Sequence, residues 1–402
     1  MRGRFLNRIE ILLLFIIWPL LGLLAACGQF QYKKTRFICV LFGALFGYTF
    51  VVANEQIDAH RYVLDFQYYY NNVDNWGDWL EVTLLSKGSQ FIIPFIEGVV
   101  SRFTNDYHVA FAIFGLCFSF FMIKSVGVLY DCNKNNSTVL NLLLVIFLLS
   151  LNFIFNINGA RMWIAMWIFC YSLLAYWNGL ISRSNCYILL VVTIFIHWSF
   201  LFVFLLFVFC ECVHIKKESL LYVFLIFSFV VRPYVVGLVQ NISFLSGFYE
   251  SKIGAYTSTE ANERVEMSRQ MQSFLYSIYQ LFFSPSVLLL LIYVRKGLDF
   301  GKNVIMKNMY SFALIVYSLA NAGVNLLAVG RFFILFECVA VFFMYSALSS
   351  IPVGKKRIIA ICLLPLLSFS IVNAYMLGRV VTNSNLFLPI PFYLIQSSAG
   401  VI

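Results

Sequence analysis

Residues 138–155 have the sequence TVLNLLLVIFLLSLNFIF, a stretch of 18 residues without one charged side chain. An α-helix of about 20 apolar residues crosses a membrane core about 30 Å thick. Lipid offers no hydrogen-bond partners, so the backbone of such a segment must satisfy its own polar groups by forming a helix. The stretch therefore predicts a membrane-spanning helix.

Ten further apolar runs flank this stretch. They are residues 9–27, 37–53, 107–130, 162–178, 186–213, 219–239, 274–293, 308–329, 331–350 and 357–377. The 402 residues are 61% hydrophobic and 11% charged, with a mean hydropathy of +0.86, which excludes a water-soluble protein. We predict one all-α, polytopic integral membrane domain over residues 1–402, with roughly 11–12 transmembrane helices.

The charges are distributed unevenly along the chain, whose formal net charge is +10. Short basic tracts between apolar runs, such as Lys33-Lys34-Arg36 and Lys355-Lys356-Arg357, predict cytoplasmic loops. Eight acidic residues lie within 54–106 and four within 241–272. We predict that these two segments are large external loops, the first with amphipathic or re-entrant helices. The basic excess is thus explained by membrane topology, and we expect no nucleic-acid partner.

Residues 186–213 permit two topologies. They form either one long span or two short spans separated near His197-Trp198-Ser199. The two-helix interpretation keeps the basic tracts inside and gives roughly twelve spans. The alternative makes Phe91–Ser101 cross instead, but these 11 residues are too few for a regular span. We favour two helices.

Motifs for several chemistries are missing from the sequence. There is no phosphate-binding glycine loop, no Cys-x-x-Cys pair and no Gly-x-Ser-x-Gly elbow. The four histidines are too scattered for local spacing to assemble a metal site. We predict no metal and no cofactor.

The first external segment contains a candidate ligand-binding face. Asp58, Arg61, Tyr62 and Asp65 recur every three or four residues, which places them on one face of a helix. Aromatic rings cover sugar faces and carboxylates accept hydrogen bonds from hydroxyls, so Asp58, Tyr62 and Tyr69 are candidates for glycan binding. The alternative is an interfacial helix whose aromatic residues belong to the membrane-surface belt.

Isolated charges at the ends of apolar runs mark further candidates, because such charges are costly near a bilayer. Arg161 and Arg331 each open a span from the external side, and together they would bind a phosphate or pyrophosphate. The alternative is that each arginine reaches the lipid headgroups. His197 is either a structural or a catalytic histidine, and Glu337 is predicted to pair with an arginine.

Four short motifs carry a family resemblance. They are Asp58-x-x-Arg61-Tyr62, Asn158-Gly-Ala-Arg161-x-Trp-x-Ala165, Ile196-His197-Trp-Ser199 and Val-Gly330-Arg331-Phe-Phe. Their order and spacing resemble the EpsG-like, Wzy-type polymerases of surface polysaccharides, particularly the O-antigen polymerases of enteric bacteria. The resemblance covers nearly the whole chain, although family members often have Arg-Gln where this chain has Arg161-Met162.

The resemblance implies a metal-independent glycosyltransferase in the bacterial inner membrane, with its active site facing the periplasm. Such enzymes transfer the growing glycan from undecaprenyl pyrophosphate to the non-reducing end of a lipid-linked repeat unit. The implied partners are this lipid-linked oligosaccharide, membrane lipid and a chain-length regulator protein. We expect Arg161, Arg331 and Arg61 to bind the pyrophosphate, and His197 or Asp65 to act as the general base.

Two other function classes fit a polytopic membrane protein. A lipid-linked oligosaccharide flippase or transporter would place charged residues along a path through the membrane, whereas here they cluster at external ends. A membrane sugar O-acyltransferase would need a catalytic histidine open to a cytoplasmic acyl donor. The predicted external position of His197 argues against that chemistry.

Overall fold

A computed structural model describes residues 7–52, 58–73, 75–83, 90–132, 139–213, 218–235, 237, 274–296, 298, 303–324 and 329–388. In these ranges the regular elements are helices, apart from one isolated β-bridge between Phe50 and Thr382. The all-α prediction is confirmed. The predicted external loop 241–272 lies outside the described residues.

The α-helices of the described residues are numbered here in chain order. In chain order they are α1 (Arg8–Ile17), α2 (Pro19–Gly28), α3 (Arg36–Tyr48), α4 (Asp58–Asn72), α5 (Trp76–Glu81), α6 (Ile92–Ser101), α7 (Tyr107–Cys132), α8 (Val139–Leu151), α9 (Ala160–Trp177), α10 (Arg183–Ile196), α11 (Phe200–Val213), α12 (Glu218–Val231), α13 (Phe274–Arg295), α14 (Val304–Ala322), α15 (Phe332–Ala347) and α16 (Val353–Val381).

Four stretches of the described chain are long and apolar enough to cross a membrane. They are Tyr107–Cys132, Val139–Trp177, Val329–Ser350 and Val353–Val381. Seven more apolar helices have 10–17 residues, which is shorter than a regular span of about 20 residues. This pattern agrees with the predicted polytopic membrane protein.

The chain divides into two compact units. The first unit comprises residues 1–135, 152–200 and 368–402, and the second comprises residues 136–151 and 201–367. One of the boundaries, after Phe200, lies close to the break in the run 186–213, where α10 ends at Ile196 and α11 begins at Phe200. His197 between them is extended, at φ −149° and ψ 108°. The structure thus contains two helices in this run, as predicted.

Small residues bring α3 and α7 together in the first unit. Gly43 and Gly47 are spaced four residues apart in α3, and Gly115 faces them from α7, so that a Cβ atom on Gly115 would overlap the carbonyl oxygen of Gly43. Ser119 Oγ on α7 lies 3.1 Å from the carbonyl oxygen of Val40 and hydrogen-bonds to it. Dispersion contacts between closely spaced backbones stabilise membrane helix pairs in this way.

In the first unit, α4 is also held against α6. The inner face of α4 is apolar and buried, with Ala59, Tyr62, Val63, Phe66 and Tyr69 at helical spacing. Arg102, just after α6, donates hydrogen bonds to the carbonyl oxygens of Val73 and Tyr69. These carbonyls lie at the C-terminal end of α4, where helix acceptors lack partners. The bond fixes the position of α4 relative to α6.

The second unit centres on α14 and α15, which are buried along most of their length. Tyr317 of α14 packs edge-on against Phe336 of α15, with ring centroids 4.9 Å apart. The predicted pairing of Glu337 with an arginine is wrong for the described residues. Its Oε1 accepts a hydrogen bond from Ser284 Oγ at 2.6 Å, because α13 places this hydroxyl beside the buried carboxyl group.

We expect Gly115→Ala to destabilise the protein by about 1–3 kcal/mol, because the added methyl group would force α3 and α7 apart. The measurement is the midpoint of thermal unfolding of the purified protein in detergent. Gly28→Ala is the matched control, since a Cβ atom there meets nothing within 4 Å. Equal midpoints for the two variants would show that the close approach does not limit stability.

Candidate functional site

Seven of the eight residues predicted to form the site lie in the first unit. These residues are Asp58, Arg61, Tyr62, Asp65, Tyr69, Arg161 and His197. The eighth, Arg331, belongs to the second unit, where it ends a short 3-10 helix, Val329–Arg331, directly before α15.

Arg161 is held in place by protein groups. It is the second residue of α9, and its guanidinium lies over the ring of Tyr62 at 5.6 Å, a cation–π contact. Nη1 donates to Gln90 Oε1 at 3.5 Å, and the backbone N–H donates to Tyr62 Oη at 3.4 Å. Both hydrogen bonds are long and therefore weak. The contact with the Tyr62 ring and the nearby negative charges thus also contribute to holding the Arg161 guanidinium.

The start of α9 and the start of α4 are connected by direct contacts. Asn158 Oδ1, in the 3-10 helix Ile154–Gly159, accepts a hydrogen bond from the backbone N–H of Ala59 at 3.2 Å. A Cβ atom on Gly159 would lie 3.6 Å from Asp58 Oδ2, so this carboxylate is next to the backbone that leads into Arg161. The motifs around Asp58 and Arg161, 103 positions apart in the sequence, thus form one site.

Asp58 also pairs with Arg61 on the outer side of α4. The distance from Asp58 Oδ1 to Arg61 Nη2 is 3.1 Å, and the side chains are 43% and 56% exposed. Exposed ion pairs contribute only about 0–1 kcal/mol, so this one can open to bind a charged ligand at small cost.

The tyrosines of α4 divide between its two faces. Tyr62 is buried against Phe111 and Phe114, and burial raises the pKa of its phenol despite the opposing effect of the nearby Arg161 charge. Tyr69 is only 1% exposed, and burial, followed by the negative charges of Glu97 and Asp65, raises the pKa of its phenol. Both phenols stay neutral near pH 7.

The outer face of α4 exposes different tyrosines. Tyr68 and Tyr70 are about half exposed, whereas Tyr69 points into the unit. Half-buried Asp65 lies one turn before Tyr68 and Tyr69. The glycan-binding roles of Asp58, Tyr62 and Tyr69 stay predictions, and the exposed rings add Tyr68 and Tyr70 to the candidates.

Gln90 and Glu97 belong to the site but were not predicted from the sequence. Glu97 is 1% exposed on α6 and lies close enough to Arg161 to attract it electrostatically. A buried carboxylate beside a half-buried guanidinium offsets part of the cost of removing each charge from water. The sequence contained one signal for Glu97, because it is an acidic residue within the otherwise apolar stretch IIPFIEGVVS of α6.

His197 directly follows α10 as its C-terminal cap and is largely buried. Its Nδ1 atom is 2.7 Å from Ser199 Oγ, a hydrogen bond that orients the imidazole ring. Two residues earlier, Phe195 packs against Phe91 with ring centroids 5.5 Å apart. Because Gln90 next to Phe91 contacts Arg161, the segment Gln90-Phe91 links the end of α10 to the arginine.

The described residues contain no group of three or more His, Cys, Asp or Glu side chains that could hold a metal ion. The polar groups that do converge are a guanidinium, amides, a phenol and carboxylates. This combination suits the binding of an anion together with hydroxyl groups.

The sequence profile of the EpsG family matches residues 34–389, which is most of the chain. No curated protein and no solved structure matches the sequence. The chain belongs to the EpsG family, and it is a membrane protein with a polymerase-like, glycosyltransferase-like function in the biosynthesis of surface polysaccharide.

Proposed function

We propose that the protein is an O-antigen polymerase of the Wzy type. It transfers the growing glycan from undecaprenyl pyrophosphate to the non-reducing end of a lipid-linked repeat unit, at the periplasmic face of the inner membrane. Family membership supports the polymerase class. The observation that carries the finer proposal is the assembly of Arg161, Tyr62, Asp58 and Gln90 at the start of a membrane helix.

The reaction requires two kinds of group. A hydroxyl of the acceptor sugar attacks the anomeric carbon of the donor, the bond from this carbon to the pyrophosphate oxygen breaks, and undecaprenyl pyrophosphate leaves. A cation must stabilise the negative charge that develops on the leaving group, and a base must accept the hydroxyl proton.

Arg161 supplies the cation in this proposal. It lies at the N-terminus of the 18-residue helix α9, where the helix dipole favours negative charge. Its contacts with Tyr62 and Gln90 fix the guanidinium before substrate arrives, which avoids reorganisation during the reaction. Arg61 joins when its exposed ion pair with Asp58 opens. The role predicted for Arg331 stays a prediction, because that residue lies in the second unit.

His197 is our choice for the general base, with Asp65 as the alternative. The hydrogen bond with Ser199 fixes the imidazole ring, and the Phe195–Phe91 contact brings the end of α10 to the segment that binds Arg161. Asp65 instead lies on α4, between the Arg161 contacts and the half-exposed Tyr68 and Tyr70, where it is better placed to bind acceptor hydroxyls.

The substrate and partners follow from the reaction. The proposed partner molecules are the undecaprenyl-pyrophosphate-linked oligosaccharide, membrane lipid and a chain-length regulator protein. The long helix Val353–Val381 and the other apolar stretches support an enzyme that meets both substrates in the membrane.

Deletion of the gene in the source bacterium should reduce the lipopolysaccharide ladder on a gel to one band of core plus a single repeat unit. A plasmid carrying the gene should restore the ladder. Loss of the single-unit band as well would indicate the flippase instead. An unchanged ladder with altered mobility or serology would indicate the acyltransferase.

Replacing Arg161 should abolish long chains. We expect Arg161→Ala to slow polymerisation at least about 100-fold, because the leaving group loses its cation. Arg161→Lys should recover only part of the activity, since lysine lacks the planar fork. The measurement is chain-length distribution at matched membrane levels of the protein. The control is Arg183→Ala, which removes an arginine that contacts Tyr187 on α10. A normal ladder in the Arg161→Ala variant would show that Arg161 does not belong to the site.

Two near-isosteric substitutions separate the candidate bases. His197→Gln should reduce the transfer rate about 100-fold or more at saturating acceptor, as expected for loss of a general base. Asp65→Asn should instead raise the acceptor concentration needed for half-maximal rate and leave the maximal rate within a fewfold. Transfer measured in membranes with purified lipid-linked repeat units gives both values. The reverse pattern would assign the base to Asp65.

A further inference from the structure

A cavity with a partly charged lining lies in the first unit, and the proposed polymerase chemistry does not use it. Its volume is about 260 Å³, and Lys33, Arg36, Lys124 and Asp131 provide its charged lining. Arg36 begins α3 and Lys33 lies three residues before it, whereas Lys124 and Asp131 lie in the C-terminal part of α7. Lys33 and Arg36 belong to the tract Lys33-Lys34-Arg36, which is predicted to be cytoplasmic.

The charges in the cavity are not balanced. Arg36 is neutralised by Asp131 through two hydrogen bonds of 2.6 and 3.0 Å, a bidentate pair. Lys33 and Lys124 form no ion pair with the described carboxylates. Three cations facing one carboxylate leave a net charge of +2 in the cavity. An anion is therefore the ligand that the cavity favours.

Lys124 is placed unusually for a lysine. It lies eight residues, or about 12 Å, before the end of a helix that is long and apolar enough to cross the membrane. The ammonium group lies 5.4 Å from the centre of the Phe120 ring. Ionisable side chains at such positions are costly and mark functional sites, because they need a partner or a route to the headgroup layer.

The remaining walls are suited to lipid. Phe37 and Phe120 line the cavity and are 49% and 41% exposed, so large apolar surfaces lie beside the cations. The volume is below the ~300–1,000 Å³ of sites for drug-sized ligands, so the cavity fits a headgroup and not an oligosaccharide. Basic pockets between membrane helices on the cytoplasmic side are typical sites for anionic lipid headgroups.

We propose that this cavity binds the phosphate headgroup of an anionic glycerophospholipid from the cytoplasmic leaflet, with Lys33 and Lys124 contacting the phosphate and an acyl chain lying along Phe37 and Phe120. Arg36 is a positioning residue in this site, since its guanidinium is held by Asp131, by the carbonyl oxygen of Phe30 at 2.9 Å and by the Phe30 ring. Arg161 does not line this cavity, and α9, the helix that begins beside Arg161, contributes only Tyr171 near its other end.

The test is native mass spectrometry of the full-length protein, incubated with equimolar phosphatidylglycerol and phosphatidylcholine of identical acyl chains. The wild-type protein should retain phosphatidylglycerol preferentially. Lys33→Gln and Lys124→Gln should each weaken its retention about fivefold, the effect of about 1 kcal/mol per lysine, and the double variant about 25-fold. Because both lysines are exposed, the variants should elute like the wild type in size-exclusion chromatography.

The matched control is Lys34→Gln, which removes the same charge from an exposed neighbour that does not line the cavity. Retention by this variant should stay within about twofold of the wild type. An equal loss in Lys34→Gln, or no preference of the wild type for phosphatidylglycerol, would overturn the proposal. Displacement of the lipid by excess inorganic phosphate would also overturn it, because the cavity would then bind a free anion.

Discussion

The constraint on which the structure depends is the absence of hydrogen-bond partners in lipid. Backbone groups in the membrane must be satisfied within the chain, so apolar segments become helices, and charged groups must be held by other protein groups or reach the surface. Arg161 shows the second requirement, with its cation placed over Tyr62 and beside Gln90 and Glu97. The proposed chemistry uses the same charge that the fold must accommodate.

The sequence predicted those features that depend on local pattern. Apolar run length gave the helical class, and the polar residues at His197 marked the break between α10 and α11. Motif order identified the family, and helical spacing placed Asp58 and Tyr62 together. The helical class, the break and the shared face of Asp58 and Tyr62 each depend on residues within a few turns of one another, where helix geometry fixes the arrangement.

Contacts between distant segments could not be predicted in this way. Nothing local connects Glu97 or Gln90 with Arg161, and the packing of α6 against α4 is what brings them together. For the same reason the sequence assigned an arginine to Glu337, whereas the structure gives it the hydroxyl of Ser284. Helical spacing also did not show that Tyr69 faces inwards while Tyr68 and Tyr70 face outwards, since Tyr69 is buried by its packing with Val73 and Trp79.

The division of α4 into two faces has a consequence for how such proteins diverge. Its inner face holds the packing residues and the ring beneath Arg161, so substitutions there affect folding and chemistry together. Its outer face contributes little to the core, and residues such as Tyr68 and Tyr70 can be exchanged without loss of stability. In the proposed polymerase, surface substitutions on this one helix would change the sugars that are recognised while the reaction centre stays constant, so polysaccharide diversity would evolve on a fixed scaffold.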